Sequence, residues 1–426
     1  MAKLRGNALV AQSGGPTTVI NSSLCGIIEE CLKSGDIELV YGAHNGIIGV
    51  LTEDLFDITK ESPEVIRGLR RTPSAAAGSC RYKLKNPQEN RRDYDRILEV
   101  FKAHDIRYFF YIGGNDSMDT ADKVAKLAGE IDYELRVMGA PKTIDNDLAE
   151  TDHTPGYGSE VKYLATMTME SGRDTEALYT FDTCTIVEAM GRNAGWIAAG
   201  AGVAHRNTLD APHLVYVPEI AFSIERFVAD VKQTHKELGM VVVLASEGLK
   251  DDSGEYITTQ KGQLARDSFG HVQLGGVAET LKNIVEQEVG LKCRYNKPGT
   301  AQRNAMHFAS LTDSNEAYMV GAEAVRHAVK GGSGKMVTIV RESNNPYRAG
   351  TGLAPLAAVA NGEKFLPREF MNEAGNHITD ECRDYVLPLL KGEVPIEVGP
   401  DGLPEYVRFE RRKVAPRTGK TYQLGG

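Results

Sequence analysis

The chain has 426 residues, with 49 Lys and Arg against 58 Asp and Glu, a formal net charge of −9. That balance excludes non-specific nucleic-acid binding as a main role, and an anionic ligand would need a local basic pocket. The hydrophobic and charged fractions are those of an ordinary globular protein, and the length suits two or three domains. No run approaches the roughly 20 apolar residues of a membrane-spanning helix. The opening MAKLRGNALVAQSGGP has neither a signal-peptide nor an anchor pattern. The six cysteines, Cys25, Cys31, Cys80, Cys184, Cys293 and Cys382, show no C-x-x-C and no His at zinc-ligand spacing. They read as reduced thiols, and the protein as cytoplasmic.

In chain order, Asn7–Ala11 reads as a buried strand ending in Gln12-Ser13-Gly14-Gly15-Pro16, with a helical pattern from about Thr18 to Lys33. Apolar, β-rich runs follow at 38–42, 108–112, 136–139, 185–189, 213–217, 240–244 and 335–340. Such runs separated by helices predict parallel sheets covered on both faces. The fold class is α/β, with two doubly wound sheets of Rossmann type and a cleft between them. Residues 1–157 with about 303–350 are expected in one domain, and 158–302 with part of 351–426 in the other. After about 345 the Gly, Pro and mixed-charge composition gives no clear element.

Ligands of such sheets bind beyond the carboxyl ends of the strands. Ser13-Gly14-Gly15 opens a helix there, and its free N–H groups suit a phosphate, although a Gly-Gly turn is also a plain structural device. Gly113-Gly114-Asn115-Asp116-Ser117 adds an amide, a carboxylate and a hydroxyl. Asn115 and Asp116 can hold Mg²⁺ beside a phosphate, or can form an Asn-Asp helix cap. Pro141-Lys142-Thr143-Ile144-Asp145-Asn146-Asp147 places two carboxylates two residues apart, on one side of an extended backbone. With Lys142 they can supply a base, a metal ligand and a cation for phosphoryl transfer; the alternative is an Asx-turn loop with a surface lysine.

These segments resemble the phosphofructokinase family. Beyond the two already quoted, the matches are Thr154-Pro155-Gly156-Tyr157-Gly158-Ser159, Glu188-Ala189-Met190-Gly191-Arg192, Ser246-Glu247-Gly248 and Gly299-Thr300-Ala301-Gln302-Arg303, all in family order over roughly residues 7–345. The resemblance implies that Asp145 is the base for the 1-hydroxyl of fructose 6-phosphate. It implies that Thr143 contacts the transferred group and that Asp147 acts through Mg²⁺ and the sugar. Met190, Gly191, Arg192, Arg294, Thr300 and Arg303 are implied at the sugar phosphate, and Glu247 at its hydroxyls. Arg81 is implied to stabilise the group in transfer. Gly14, Gly15, Asp116, Lys142 and Ser117 are implied on the donor side, with Mg²⁺ at Asn115, Asp116 and Asp147.

Family members that use ATP have glycine at the positions of Asp116 and Lys142, whereas those that use pyrophosphate have aspartate and lysine. A carboxylate at the first position crowds the α-phosphate of ATP. Two like charges about 4 Å apart repel by roughly 4 kcal/mol at an effective dielectric near 20, or about a thousandfold. The resemblance therefore implies a pyrophosphate-dependent phosphofructokinase that acts reversibly on fructose 6-phosphate and forms a homodimer or homotetramer. The competing readings are an ATP-dependent phosphofructokinase or related sugar kinase, and a silent regulatory subunit. Three positions depart from the family pattern: Asn115 stands for an aspartate, Thr300 for a tyrosine or histidine, and Thr183 for an arginine. They leave sedoheptulose 7-phosphate open as an acceptor, and leave room for cations from a partner subunit.

Overall fold

The computed structural model describes residues 4–258, 276–360 and 362–424. The strands described are β1 (Gly6–Gln12), β2 (Ile37–Ala43), β3 (Leu55–Asp57), β4 (Ile106–Gly113) and β5 (Arg136–Pro141). They continue as β6 (Cys184–Ala189), β7 (Leu214–Tyr216), β8 (Val241–Ser246), β9 (Cys293–Asn296), β10 (Lys335–Asn344) and β11 (Tyr347–Pro355). One sheet has the order β11-β10-β5-β4-β1-β2-β3 and the other β7-β8-β6-β9. The second is wholly parallel. The first is parallel through its centre and antiparallel at both edges, where β3 pairs with β2 and β11 with β10.

The continuous apolar runs follow from burial on two faces. Leu9, Phe109 and Val137 pack into one layer while their neighbours Val10, Phe110 and Met138 pack into the opposite one. In the second sheet Val187, Val242 and Leu244 face one core and Ile186, Val241 and Val243 the other. The helices Ile20–Lys33 and Leu311–Val329 meet through glycines. A β-carbon on Gly26 would lie 2.2 Å from the Tyr318 carbonyl oxygen, and one on Gly321 2.2 Å from that of Ser23. This contact joins chain that is distant in sequence to the first sheet.

Periodicity did not indicate β3, β9 or β11, which are short or lie at a sheet edge, where alternation is weak. The chain after β11 visits both layers. Leu366, Met371, Ile378, Cys382, Val386 and Leu389 join the core around Tyr157 and Trp196. The tail then returns to the first sheet, where the Phe409 ring lies 5.5 Å from Phe56. The N–H groups of Arg417 and Thr418 donate to Glu53 there (2.6 and 3.1 Å). All six cysteines are free and buried. No helix among the described residues is long and apolar enough to cross a membrane.

Candidate active site

Chain order reverses between β1 and β4, which lie side by side. Ligands of open sheets sit beyond the strand ends at such a reversal. The turns leaving β1, β4, β5, β6 and β8 open into a single cavity of about 380 Å³. Its wall includes Gly14, Gly15, Arg81, Asn115, Asp116, Ser117, Lys142, Thr143, Asp145, Asp147, Met190, Arg192, Glu247 and Arg303.

The two glycines after β1 make room for cations. A β-carbon on Gly14 would lie 3.2 Å from Lys142 Nζ, and one on Gly15 2.8 Å from Arg303 Nη1. Gly14 also has φ +78°, the left-handed region that favours glycine. Lys142 ties three turns together. Its Nζ donates to the Gly15 carbonyl (2.8 Å) and its backbone N–H to the Gly113 carbonyl (3.0 Å). Lys142 is only 4 % exposed. Burial lowers its ammonium to about 8; Asp145 opposes that shift and Arg303 adds to it.

The two carboxylates do not lie on an extended segment. Asn146 between them has φ +54°, so the backbone turns at that residue, yet Asp145 and Asp147 both face the cavity. The turn is held from inside the protein. Asn146 is fully buried, accepts from the Thr154 N–H (3.1 Å) and donates to the Tyr385 hydroxyl (3.1 Å). The Asp145 N–H donates to Thr143 Oγ1 (3.1 Å). Burial, reinforced by Glu247, raises the Asp145 carboxyl to about 6. Burial and then Asp145 raise Asp147 to about 7.

Asn115 and Asp116 begin the helix Asn115–Glu130, but neither caps it; the N-cap position is Gly114. Asn115 Oδ1 is buried without a hydrogen-bond partner among the described residues. Asp116 is ion-paired with Lys83 Nζ (2.9 Å). The charge repulsion expected between Asp116 and ATP is therefore partly neutralised, and crowding takes a larger share of any discrimination. Ser117 packs on Gly113, where a β-carbon would lie 2.0 Å from its Oγ. Among the described residues no three His, Cys, Asp or Glu side chains gather as a metal site. The orphaned Asn115 oxygen, with Asp147 in the same wall, fits an ion that takes one or two protein oxygens and completes its shell with phosphate and water.

The second sheet supplies the opposite wall. The Met190 N–H donates to Gln302 Oε1 (3.1 Å), and Gly191, at φ +122°, accepts from Ser246 Oγ (2.7 Å). A β-carbon on Gly248 would lie 2.1 Å from the Arg192 carbonyl oxygen, so the ends of β6 and β8 interlock. Burial, then Glu188, raises Glu247 above the usual carboxylate range.

Gly191, between two lining residues, is not itself in the wall, and two other expected residues lie elsewhere. Arg294 extends from β9 to an ion pair with Asp182 (2.5 Å) and is about half exposed, with a side-chain exposure of 56 %. Thr300 is exposed on the short helix Gly299–Asn304. Thr183 is hydrogen-bonded to His235 Nε2 (2.9 Å). Conversely, Thr17, Asn193 and Glu363 line the cavity without having been singled out. Thr17 follows the glycine turn and Asn193 follows Arg192, so proximity to a motif was an available signal for those two. Glu363 reaches the site through an antiparallel bridge to Leu148, which sequence does not announce.

A glycine turn beneath two cations, with paired carboxylates on the same sheet and the turns of a second Rossmann-like sheet opposite, defines a phosphoryl-transfer fold and site. A profile of the Phosphofructokinase family matches residues 7–328, and the chain belongs to that family. It is 47% identical over 412 residues to the pyrophosphate--fructose 6-phosphate 1-phosphotransferase of Halomonas elongata, covering 96% of this chain and 97% of that one. It is 48% identical over 415 residues to the protein of that name from Xanthomonas campestris pv. campestris, covering 97% and 98%. The crystal structure of pyrophosphate-dependent phosphofructokinase from Nitrosospira multiformis superimposes with a TM-score of 0.88 at 44% identity, covering 96% of this chain and 98% of that one.

Proposed function

We propose that the chain transfers a phosphoryl group reversibly between pyrophosphate and the 1-hydroxyl of fructose 6-phosphate. The observation that carries this reading is Lys142, buried and bonded to the Gly15 carbonyl within the cavity wall that also holds Asp145. The first sheet is assigned to the donor and the second to the acceptor.

Asp145 accepts the proton of the 1-hydroxyl as its oxygen attacks phosphorus in line, and the bond from phosphorus to the bridging oxygen breaks. Orthophosphate leaves with the charge developed on that oxygen, which Lys142 and Arg81 offset. Most of the rate comes from positioning and charge neutralisation. Asp145, raised towards neutrality by burial, has a basicity suited to accepting and returning the proton in a reversible reaction. Asn115, Asp116 and Asp147 are assigned to Mg²⁺, which when bound neutralises charge on the phosphates. Arg192 and Arg303 hold the sugar phosphate and Glu247 accepts from sugar hydroxyls. Arg294 and Thr300, outside this chain's cavity, are assigned to the cavity of a second copy in a homodimer or homotetramer. The setting is cytoplasmic.

The test is coupled turnover of the purified chain with Mg²⁺ and fructose 6-phosphate, offering pyrophosphate or ATP at equal concentration. Turnover with pyrophosphate and not ATP is expected. Turnover with ATP alone would overturn the donor assignment, and turnover with neither would overturn the reading.

A further inference from the structure

One buried carboxyl beside the site has no task in the transfer described above. Glu160 lies in the first turn of the helix Tyr157–Ala177 and is 0 % exposed. Neither of its oxygens has a hydrogen-bond partner among the described residues. Buried polar groups are almost always paired, and an isolated buried charge is strongly disfavoured. The helix packs against the short helix Gly299–Asn304, which bears Arg303. Arg303 Nε is likewise buried and without a hydrogen-bond partner among the described residues. The two side chains therefore present a matching orphaned acceptor and donor. Their charges act on each other without a hydrogen bond between them.

The groups that act on Glu160 differ in sign. Asp145 on the turn after β5 disfavours its charge, and Arg303 favours it. Asp313, on the helix Leu311–Val329, is taken up by the N–H groups of Gly156 and Ser159 (both 2.9 Å). Tyr163, one turn on from Glu160, meets the His307 ring edge-on. Burial, then Asp145, raises Glu160 well above the usual carboxylate range. Arg303 in turn lies among cations. Its Nη1 sits over Gly15, and Arg81 and Lys142 act on it or are acted on by it.

We propose that Glu160 is a positioning residue for Arg303: as a neutral acid it leaves the guanidinium facing the cavity, and as a carboxylate it draws the guanidinium back towards the helix. Phosphate binding by Arg303 is thereby linked to a proton on Glu160. With the proton present, at lower pH, Arg303 is available to an entering phosphate. As pH rises and the proton is lost to solvent, Arg303 pairs with Glu160 and the phosphate binds less tightly. The inference rests on the phosphoryl-transfer reading for the identity of that phosphate.

The experiment compares the full-length protein with Glu160→Gln, measuring kcat and both KM values between pH 7 and 9.5. In the unsubstituted protein the KM for fructose 6-phosphate is expected to rise several-fold across that range. In Glu160→Gln, which cannot ionise, it stays flat while kcat is little changed at pH 7. If the pyrophosphate KM shows the difference instead, the link stands and Arg303 serves the donor phosphate. Parallel KM profiles for both proteins would overturn the proposal. Absence of turnover in the unsubstituted protein would overturn the underlying reading. Should the amide variant not fold, Glu160→Met gives the same comparison with a neutral side chain of similar length. Calorimetric proton uptake on binding fructose 6-phosphate at pH 8.5, in buffers of different ionisation enthalpy, must fall in either variant.

Discussion

Lys142 Nζ donates to the carbonyl oxygen of Gly15 at 2.8 Å, joining the turn after β5 to the turn after β1. Bond and burial together fix the cation in place while desolvation lowers its basicity to about 8. The cation must be protonated to offset phosphoryl charge, and Asp145, raised to about 6, must be deprotonated to act as base. Activity is therefore expected to rise as pH passes from about 6 to 7, where Asp147 also titrates, and to fall above about 8. Lys142→Met is expected to lose about 100- to 1,000-fold in kcat/KM for pyrophosphate, the scale of one preorganised charge contact. The alkaline limb of kcat should vanish with it. A pH–rate profile of both proteins checks each limb; an alkaline limb that persists in the variant would exclude Lys142 as its source.

Gly15 and Gly14 separate site effects from fold effects. At Gly15 an added β-carbon meets the far end of the Arg303 side chain at 2.8 Å, and that end can swing away. Gly15→Ala is expected to fold normally and to bind fructose 6-phosphate about tenfold more weakly, corresponding to about 1.4 kcal/mol. Gly14→Ala places a β-carbon on a residue at φ +78°, which costs about 1–2 kcal/mol in the backbone itself. Thermal melts and KM measurements on the pair distinguish the two causes: only Gly14→Ala should lower the melting temperature.

The Lys83–Asp116 pair at 2.9 Å bears on donor choice. Asp116→Gly removes the bulk near the expected α-phosphate position and releases Lys83 as a free cation close by. ATP turnover is expected to rise at least tenfold in kcat/KM, with pyrophosphate turnover falling. Lys83→Met leaves the carboxylate unpaired and is expected to weaken pyrophosphate binding without admitting ATP. Steady-state kinetics with each donor checks both; ATP turnover left unchanged in Asp116→Gly would show that the bulk at this position does not exclude the nucleotide.

Much of this site was legible in the sequence because each contributing turn follows a strand whose apolar run is continuous. Gly14, Asp116, Lys142, Asp145, Arg192 and Glu247 all fall just past such runs, and all line one cavity. The resemblance supplied their proposed roles, which spacing alone leaves open. Contacts that close over long chain separations were not legible. Lys83 meets Asp116, Glu160 lies beside Arg303, and Glu363 reaches the wall through its bridge to Leu148. None of these has a local pattern, because charge pairing and packing between distant segments leave no period in a single sequence. Arg294 and Thr300 show the converse, since an arginine and a threonine at family positions need not enter their own chain's cavity.

The segment after β11, opaque in sequence, braces the carboxylate turn. The Tyr385 hydroxyl donates to the Asp152 carbonyl (2.8 Å) and accepts from Asn146 Nδ2 (3.1 Å). Lys364 donates its backbone N–H to the Asp147 carbonyl (2.8 Å) and its Nζ to the carbonyls of Asp152 and Thr151 (2.6 and 3.1 Å). Asn146 must hold its left-handed turn for Asp145 and Asp147 to face the cavity together, and Tyr385 is one of the groups that hold it. Tyr385→Phe keeps the ring against Trp196 (5.5 Å) and removes only the hydroxyl. The loss of a buried hydrogen bond is worth about 1–3 kcal/mol when a polar partner is left behind. The cost should appear mainly in kcat, about tenfold, because the base is displaced while the substrate-binding arginines are untouched. Steady-state kinetics beside a denaturant melt checks the assignment: a stability loss with unchanged kcat would make the brace structural only.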